Sequence, residues 1–305
     1  MSGIPPSGEQ FVIGFGDQAA MISIVGATLR QYQIGGRDVI DGFPLEGRSV
    51  DGRGQVLLPW PNRLGGGRYT FNGTSTRAPL NEPDRGNAIH GLVRWLPWEL
   101  VSLDPSAVTL ECALWPQPGY EWPVLTRLTY RVGSAGLVVS SEVTNRGDDA
   151  APLGVGFHPY LTVGTIIDQA HLLVPAGTRV LADDDGLPTG REPVTGTDYD
   201  FRALRPIGPM RLDTAYTDLI RDEGGRAVAV LSGNDVEPTV RLWVDNSFGH
   251  LMVYTGDSVG DPERRRRAVA IEPMTCPPDA FRTGTDLLSV EPGATWRGEW
   301  GIDPT

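Results

Sequence analysis

Arg68-Tyr69-Thr70-Phe71-Asn72-Gly73-Thr74 decides how the rest of this chain is read. Aromatic and β-branched residues lead into Asn-Gly, the pair that most readily takes the two positive φ angles of a tight hairpin turn. The stretch therefore predicts two antiparallel strands joined by two residues. Upstream, residues 11–34 alternate apolar with small or polar side chains and hold no 3.6-residue period, which predicts another hairpin. Downstream, short β-rich segments recur at residues 107–114, 125–132, 137–143, 171–175, 226–231, 240–244, 250–255, 268–273 and 295–302. The third of these runs into Asn145-Arg146-Gly147-Asp148, which is turn chemistry. No window of a dozen residues carries a helical stripe. Many short strands at fairly regular spacing predict an all-β sandwich or barrel. Neither a linker nor an internal repeat divides the chain, so residues 11–305 are expected to form one domain behind a flexible N-terminus, residues 1–10.

The chain has 305 residues, a formal net charge of −12 and 40% hydrophobic residues, enough apolar surface for a sizeable core. Its 39 glycines and 26 prolines suit many strands joined by tight turns. The acidic balance argues against a nucleic-acid partner, whose phosphates need a basic face, and against an anionic membrane surface. Cys112 and Cys276 lie far apart and make neither a disulfide framework nor a metal-ligand spacing. Every basic residue is arginine, so lysine Schiff-base, pyridoxal-phosphate and lysine-nucleophile chemistry is excluded. Residues 1–10 lack the basic start and apolar run of a signal peptide, and no apolar run is long enough to cross a bilayer. A soluble cytoplasmic protein, monomer or homodimer, is expected. The charge runs Asp183-Asp184-Asp185 and Arg264 to Arg267 read as solvated loops.

Two motifs are set aside. Gly14-Phe15-Gly16-Asp17-Gln18-Ala19 fits a dinucleotide fingerprint, but that fingerprint needs a helix at its end to hold the pyrophosphate. Residues 21–26 read as strand, so a hairpin turn is the better account. Gly256-Asp257-Ser258-Val259-Gly260 fits a nucleophile elbow, but in that hydrolase fold the histidine follows the serine. Here His90, His158, His171 and His250 all precede Ser258.

Chemistry gathers elsewhere. Gly154-Val155-Gly156-Phe157-His158-Pro159-Tyr160 sets a histidine between two aromatic rings, and the following proline pushes it towards extended backbone. The glycines leave room for another chain or a ligand to approach. Leu58-Pro59-Trp60-Pro61-Asn62-Arg63 leads into Gly65-Gly66-Gly67-Arg68 and offers an arginine on a loop. Asn87-Ala88-Ile89-His90-Gly91 adds a second histidine, Leu212-Asp213-Thr214-Ala215-Tyr216 a carboxylate near an aromatic, and Ile271-Glu272-Pro273 a glutamate at a strand end.

In this order the motifs P-N-R with G-G-G-R-Y, I-H-G, F-H-P-Y, an aspartate two-thirds along, and E-P with P-D-A-F resemble the aldose 1-epimerase (galactose mutarotase) family. The resemblance runs from about Gln55 to the C-terminus. It implies a large twisted antiparallel β-sandwich, the galactose mutarotase-like supersandwich, with a monosaccharide bound in a cleft across one sheet. It implies His158 as general acid and Glu272 as general base, with Asn62, Arg63, His90 and Asp213 holding the sugar. Met274 departs from the pattern, standing where many members have glutamine. The segment Leu92 to Trp98 resembles a branch that includes sugar-phosphate epimerases.

The residue types suit the reaction in their own right. Exchanging anomers takes a proton from the C1 hydroxyl and delivers one to the ring oxygen, and it needs no cofactor or metal. General acid–base groups work best when they titrate near operating pH. Free Glu and His titrate at about 4.3 and about 6.5, so Glu272 is expected to be desolvated or His158 supported by a neighbouring charge. An acidic limb from Glu272 is expected in the pH profile. A sugar-phosphate epimerase using Arg63, Arg68 and Arg94, a glycosidase using Asp213 and Glu272, and a non-catalytic sugar binder are the alternatives.

Overall fold

The computed structural model describes residues 4–233 and 238–303. Among these, helix is limited to a four-residue turn, Ala280–Thr283, and three short 3-10 turns. One sheet has nine strands in the order Glu99–Asp104, Ala107–Leu114, Val124–Gly133, Gly136–Asn145, Thr295–Asp303, Thr239–Val244, Ala227–Ser232, His171–Leu173 and Arg205–Pro206. An eight-stranded sheet follows the order Pro188–Pro193, Ala176–Ala182, Asp213–Leu219, His250–Tyr254, Val269–Met274, Gly156–Phe157 and Val56–Leu57. Its remaining strand, Tyr160–Leu161, also pairs with Val269–Met274. The ladders of both sheets are antiparallel.

Period-two patterning explains the nine-stranded sheet. In Val124–Gly133 the buried residues are Val124, Thr126, Leu128, Tyr130 and Val132, with more exposed residues between them. That alternation turns one face to the core. The eight-stranded sheet supplies the opposite wall. Phe157 meets Trp300 across the interior at 5.3 Å between ring centroids, and Val139, Leu128, Leu251 and Ile271 belong to the same core. This is the expected antiparallel sandwich.

The two hairpin readings hold. Arg68–Phe71 pairs with Thr74–Arg77, and Asn72 and Gly73 carry φ of 47° and 81°. Phe15 pairs with Gln18 across Gly16-Asp17, so in the dinucleotide-like motif Gly16 forms a hairpin turn and Gly14 lies within the strand, opposite Ala19. Residues 11–34 go further than a hairpin: Gln10–Phe15, Gln18–Ser23 and Thr28–Ile34 form a meander completed by Arg37–Asp38. Just before it, the Ser7 and Glu9 carbonyls accept from the Val25 and Ile24 amides.

The arginine run is a solvated loop only in part: Arg265 and Arg267 are exposed, but Arg264 and Arg266 are not. Arg266 binds Asp168 at 2.6 Å and Asp257 at 2.7 Å and also donates to the Gly208 and Met210 carbonyls, while Arg264 reaches Asp41 and the Gly42 carbonyl. These two side chains staple distant loops, which a linear run of charge does not reveal. Asp183 to Asp185 do lie exposed, with Asp183 closing its own turn onto the Asp185 and Leu187 amides.

Candidate active site

The strand Val269–Met274 is buried on both faces. Val269 and Ile271 point into the main core. Ala270, Glu272 and Met274 take the other face, where Glu272 pairs in register with Met252 and Ala270 with Tyr254. Asp213 lies across from Tyr254 on the next strand. The ladder thus brings Glu272, Tyr254 and Asp213 onto one surface, which floors a cleft of about 520 Å³. Asn62, Arg63, His90, His158, Asp213 and Glu272 all line it, so every site residue expected from sequence is brought to one place.

His158 sits between Gly156–Phe157 and Tyr160–Leu161, at a strand end as its proline implied. Its Nε2 lies 3.3 Å from Glu272 Oε1, and both side chains are almost wholly buried. The imidazole stacks on Tyr160 with ring centroids 5.0 Å apart and meets His90 edge-on at 5.3 Å. The glycines before it serve the chain and not a ligand. A Cβ on Gly156 would stand 2.7 Å from Pro61 Cβ, and one on Gly154 would stand 2.8 Å from Pro61 Cδ.

Asn62 and His90 both adopt left-handed backbone, with φ of 54° and 64°. The His90 amide donates to the Asn62 carbonyl at 2.9 Å, and Asn62 Oδ1 accepts from the Arg63 amide at 2.9 Å. These bonds fix the corner from which Arg63 enters the cleft. Its guanidinium forks onto Glu82, with Nε to Oε2 at 2.9 Å and Nη2 to Oε1 at 3.0 Å, leaving Nη1 3.8 Å from Asp213. Sequence reading missed Glu82. It falls on no periodic element, and its role appears only when the Asn87–Ile89 strand folds onto Arg63–Gly65. Tyr254 and Ser258 were missed too. Ser258, set aside as a hydrolase nucleophile, exchanges a 2.9 Å hydrogen bond with the Tyr254 hydroxyl at the cleft wall. His250 and His171 lie outside the cleft lining, and His250 bonds Asp286 at 3.1 Å.

Burial sets the proton affinities. It pushes the Glu272 carboxyl well above the usual carboxylate range, helped by the negative charge of Asp213 and opposed by Arg63. Burial drives His158 down to about 3, and nearby Arg53 and Arg94 act in the same direction. His90 is held well below its ordinary value by burial, with His158, Arg94 and Arg63 adding to it. Glu272 Oε2 and His90 Nδ1 are buried and meet no hydrogen-bond partner among the described residues. Both histidines are therefore neutral near pH 7, and the Glu272 carboxyl keeps its proton to higher pH than an ordinary carboxylate. The desolvated carboxyl expected from the sequence is present, whereas Arg53 and Arg94 disfavour an imidazolium. Among the described residues no cluster of three or more His, Cys, Asp or Glu side chains is arranged to hold a metal ion.

Comparison with known proteins agrees with this geometry. The family described as aldose 1-epimerase matches residues 10–303. The uncharacterized protein YihR of Escherichia coli K12 is 32% identical over 299 residues, covering 95% of this chain and 92% of its own length. Among solved structures, the GalM/aldose epimerase homologue from C. elegans superposes with a TM-score of 0.85 at 20% identity, covering 97% of this chain and 98% of that one. Galactose 1-epimerase from Lactobacillus acidophilus NCFM gives 0.77 at 20% identity, covering 95% and 92%. A match that runs from the first strand to the last, on a sandwich whose cleft gathers a residue from each expected motif, places this chain in the aldose 1-epimerase family.

Proposed function

We propose that the protein is an aldose 1-epimerase that interconverts the α and β anomers of a free aldose. The observation that carries this reading is the buried Glu272–His158 pair at 3.3 Å on the cleft floor, with Glu272 Oε2 uncommitted. In ring opening the O1–H bond breaks and its proton passes to Glu272. The C1–O5 electron pair moves to O5, which takes a proton from His158, while C1=O1 forms. Rotation about C1–C2 presents the other carbonyl face, and closure reverses each transfer.

The pair starts with its one proton on His158 and ends with it on Glu272, so charge and protons balance. The second arrangement is the one burial favours in the free protein. Sugar hydroxyls and the Arg63 guanidinium supply the dipoles that favour the first. Arg63, Asp213, His90 and the Asn62 amide nitrogen hold the remaining hydroxyls, and positioning of this kind lowers the barrier by pre-arranging the reacting atoms.

One proton is required in either arrangement. The rate then falls on the acid side when His158 takes a second proton and on the alkaline side when Glu272 loses the last. The raised proton affinity of Glu272 favours this assignment over the acidic limb expected from Glu272 in the sequence. Cys112 and Cys276 are free thiols, in keeping with a reducing compartment, and we place the enzyme in the cytoplasm.

A second reading, epimerisation of a sugar phosphate, draws on Arg94. It lines the cleft, stacks beside Trp95 at 5.5 Å, and its guanidinium donates to the Gln55 side-chain oxygen at 3.5 Å. The wider arginine cluster that reading wanted is weaker: Arg63 is committed to Glu82, and Arg68 lies outside the cleft lining. The test is anomer exchange followed by proton NMR from pure α-glucose, α-galactose and α-glucose 6-phosphate. Acceleration of a free sugar supports the first reading, and acceleration of the phosphate alone selects the second. Exchange at the buffer rate for all three, with binding by calorimetry, would leave a sugar-binding protein instead.

A further inference from the structure

Segment 51–55 closes one wall of the cleft in an unusual way. Asp51, Gly52 and Gly54 all have positive φ, at 53°, 77° and 69°. The Gly54 amide donates to the His158 carbonyl at 2.9 Å, and the His158 amide donates to the Gln55 carbonyl at 3.0 Å. The Tyr160 hydroxyl donates to the Asp51 carbonyl at 3.0 Å. Arg53, 1% exposed, is gripped by Asp51 at 2.9 Å and Asp41 at 3.3 Å, and its guanidinium carbon stands 4.5 Å from the centre of the Tyr160 ring. Gly52 packs directly on the imidazole: a Cβ there would lie 2.5 Å from His158 Cδ2 and 2.8 Å from Nε2, the atom that faces Glu272.

We propose that Arg53 is a positioning residue for the acid–base pair, clamping with Gly52 the Tyr160–His158 ring stack so that His158 Nε2 faces Glu272. The inference rests on the epimerase reading of the same site. An aromatic ring attracts a cation to its face, and a positive charge held there disfavours a second one close by. Arg53 already occupies the Tyr160 ring, so a second cation on the stacked imidazole is disfavoured, and the clamp acts on proton placement as well as geometry. The ionisable and charged groups around His158 are Glu272, His90, Tyr160, Arg53 and Arg94. Of these, only Arg53 reaches the imidazole through a stacked ring. Burying a guanidinium is costly unless its partners are well placed. Asp41 and Asp51 hold Arg53 on this ring.

The test uses Arg53→Gln, Arg53→Lys and Gly52→Ala in the full chain. The readouts are kcat and KM for anomer exchange, and the His158 imidazole titration by NMR. Arg53→Gln is expected to lower kcat by about 10–100-fold, the scale of a small misplacement at a reacting centre, with KM unchanged. It is also expected to move the His158 titration to higher pH. Arg53→Lys recovers part of both effects, and Gly52→Ala lowers kcat with KM unchanged.

A folded Arg53→Gln protein with wild-type kcat, or with reduced kcat and an unmoved His158 titration, overturns the proposal. If Arg53→Gln does not fold, wild-type kcat in Gly52→Ala overturns it. If the wild type accelerates no sugar, the epimerase reading fails, while the His158 titration in Arg53→Gln still decides whether the clamp exists.

Discussion

The strands Val124–Gly133 and Val269–Met274 are both heavily buried, and burial does opposite things in them. In the first, alternate residues enter the core, and each apolar side chain so removed from water contributes about 1.5–3 kcal/mol. Leu128 and Tyr130 are wholly buried there, and the hydroxyl of Tyr130 finds the Ala27 carbonyl at 2.7 Å. In the second strand, Val269 and Ile271 behave the same way, but directly after Ile271, on the opposite face, Glu272 is buried with one carboxyl oxygen unpartnered among the described residues. That burial works against stability and raises proton affinity instead. Local rules are broken at one residue of an otherwise regular ladder, the pattern expected of a functional position.

The sharpest way to break this contrast is Glu272→Gln. It should lower the epimerisation kcat by about 10²–10⁴, the usual worth of a general acid–base group, while sugar binding by calorimetry persists. Stability should move the other way. Glu272 is raised on folding, so its contribution is fully present below about pH 4.3, the unfolded carboxylate value, and is lost as pH climbs through the folded value. At pH 7 the buried acid therefore costs stability, and the glutamine variant should melt at the same temperature or higher. Normal turnover, or a large fall in melting temperature, would remove the contrast. The complementary substitution is Leu128→Ala. A cavity there should cost about 2–5 kcal/mol in chemical denaturation and leave kcat at the wild-type value, because Leu128 lies in the core and lines no part of the cleft.

The same contrast governs what could be read from sequence. Ala107–Leu114 was bounded to the residue, and Val124–Gly133 and Thr239–Val244 to within one, because alternation and strand length are local properties. The strands Ala176–Ala182 and Pro188–Pro193 escaped notice. Pro188–Pro193 is the edge strand and Ala176–Ala182 the next one in, and each buries at most two of its residues, so the apolar face is thin. The two- and three-residue strands Val56–Leu57, Arg63–Gly65 and Asn87–Ile89 escaped for a different reason: they are too short to show a period, and only distant partners define them.

Catalytic and sugar-holding candidates were legible as motifs, since Glu-Pro, His-Pro and Asn-Arg are conspicuous chemistry in apolar surroundings. Their supports were not. Glu82 beneath Arg63 and Arg53 above Tyr160 are ordinary charged residues until the fold sets them against their partners. Arg264 and Arg266 show the same limit from the other side, since a run of charge reads as solvated although two of its members are stapled to carboxylates.

The central claim is that one shared proton on the Glu272–His158 pair exchanges anomers, and the pH dependence of catalysed exchange tests it most directly. Rates measured from about pH 3 to pH 10, after subtracting the buffer reaction, should hold a plateau through neutrality. They should fall only towards His158's value of about 3 and, on the alkaline side, well above the ordinary carboxylate range. A rate that rises through a single midpoint near the free carboxylate value of about 4.3 with no alkaline fall, or no acceleration at any pH, would contradict it.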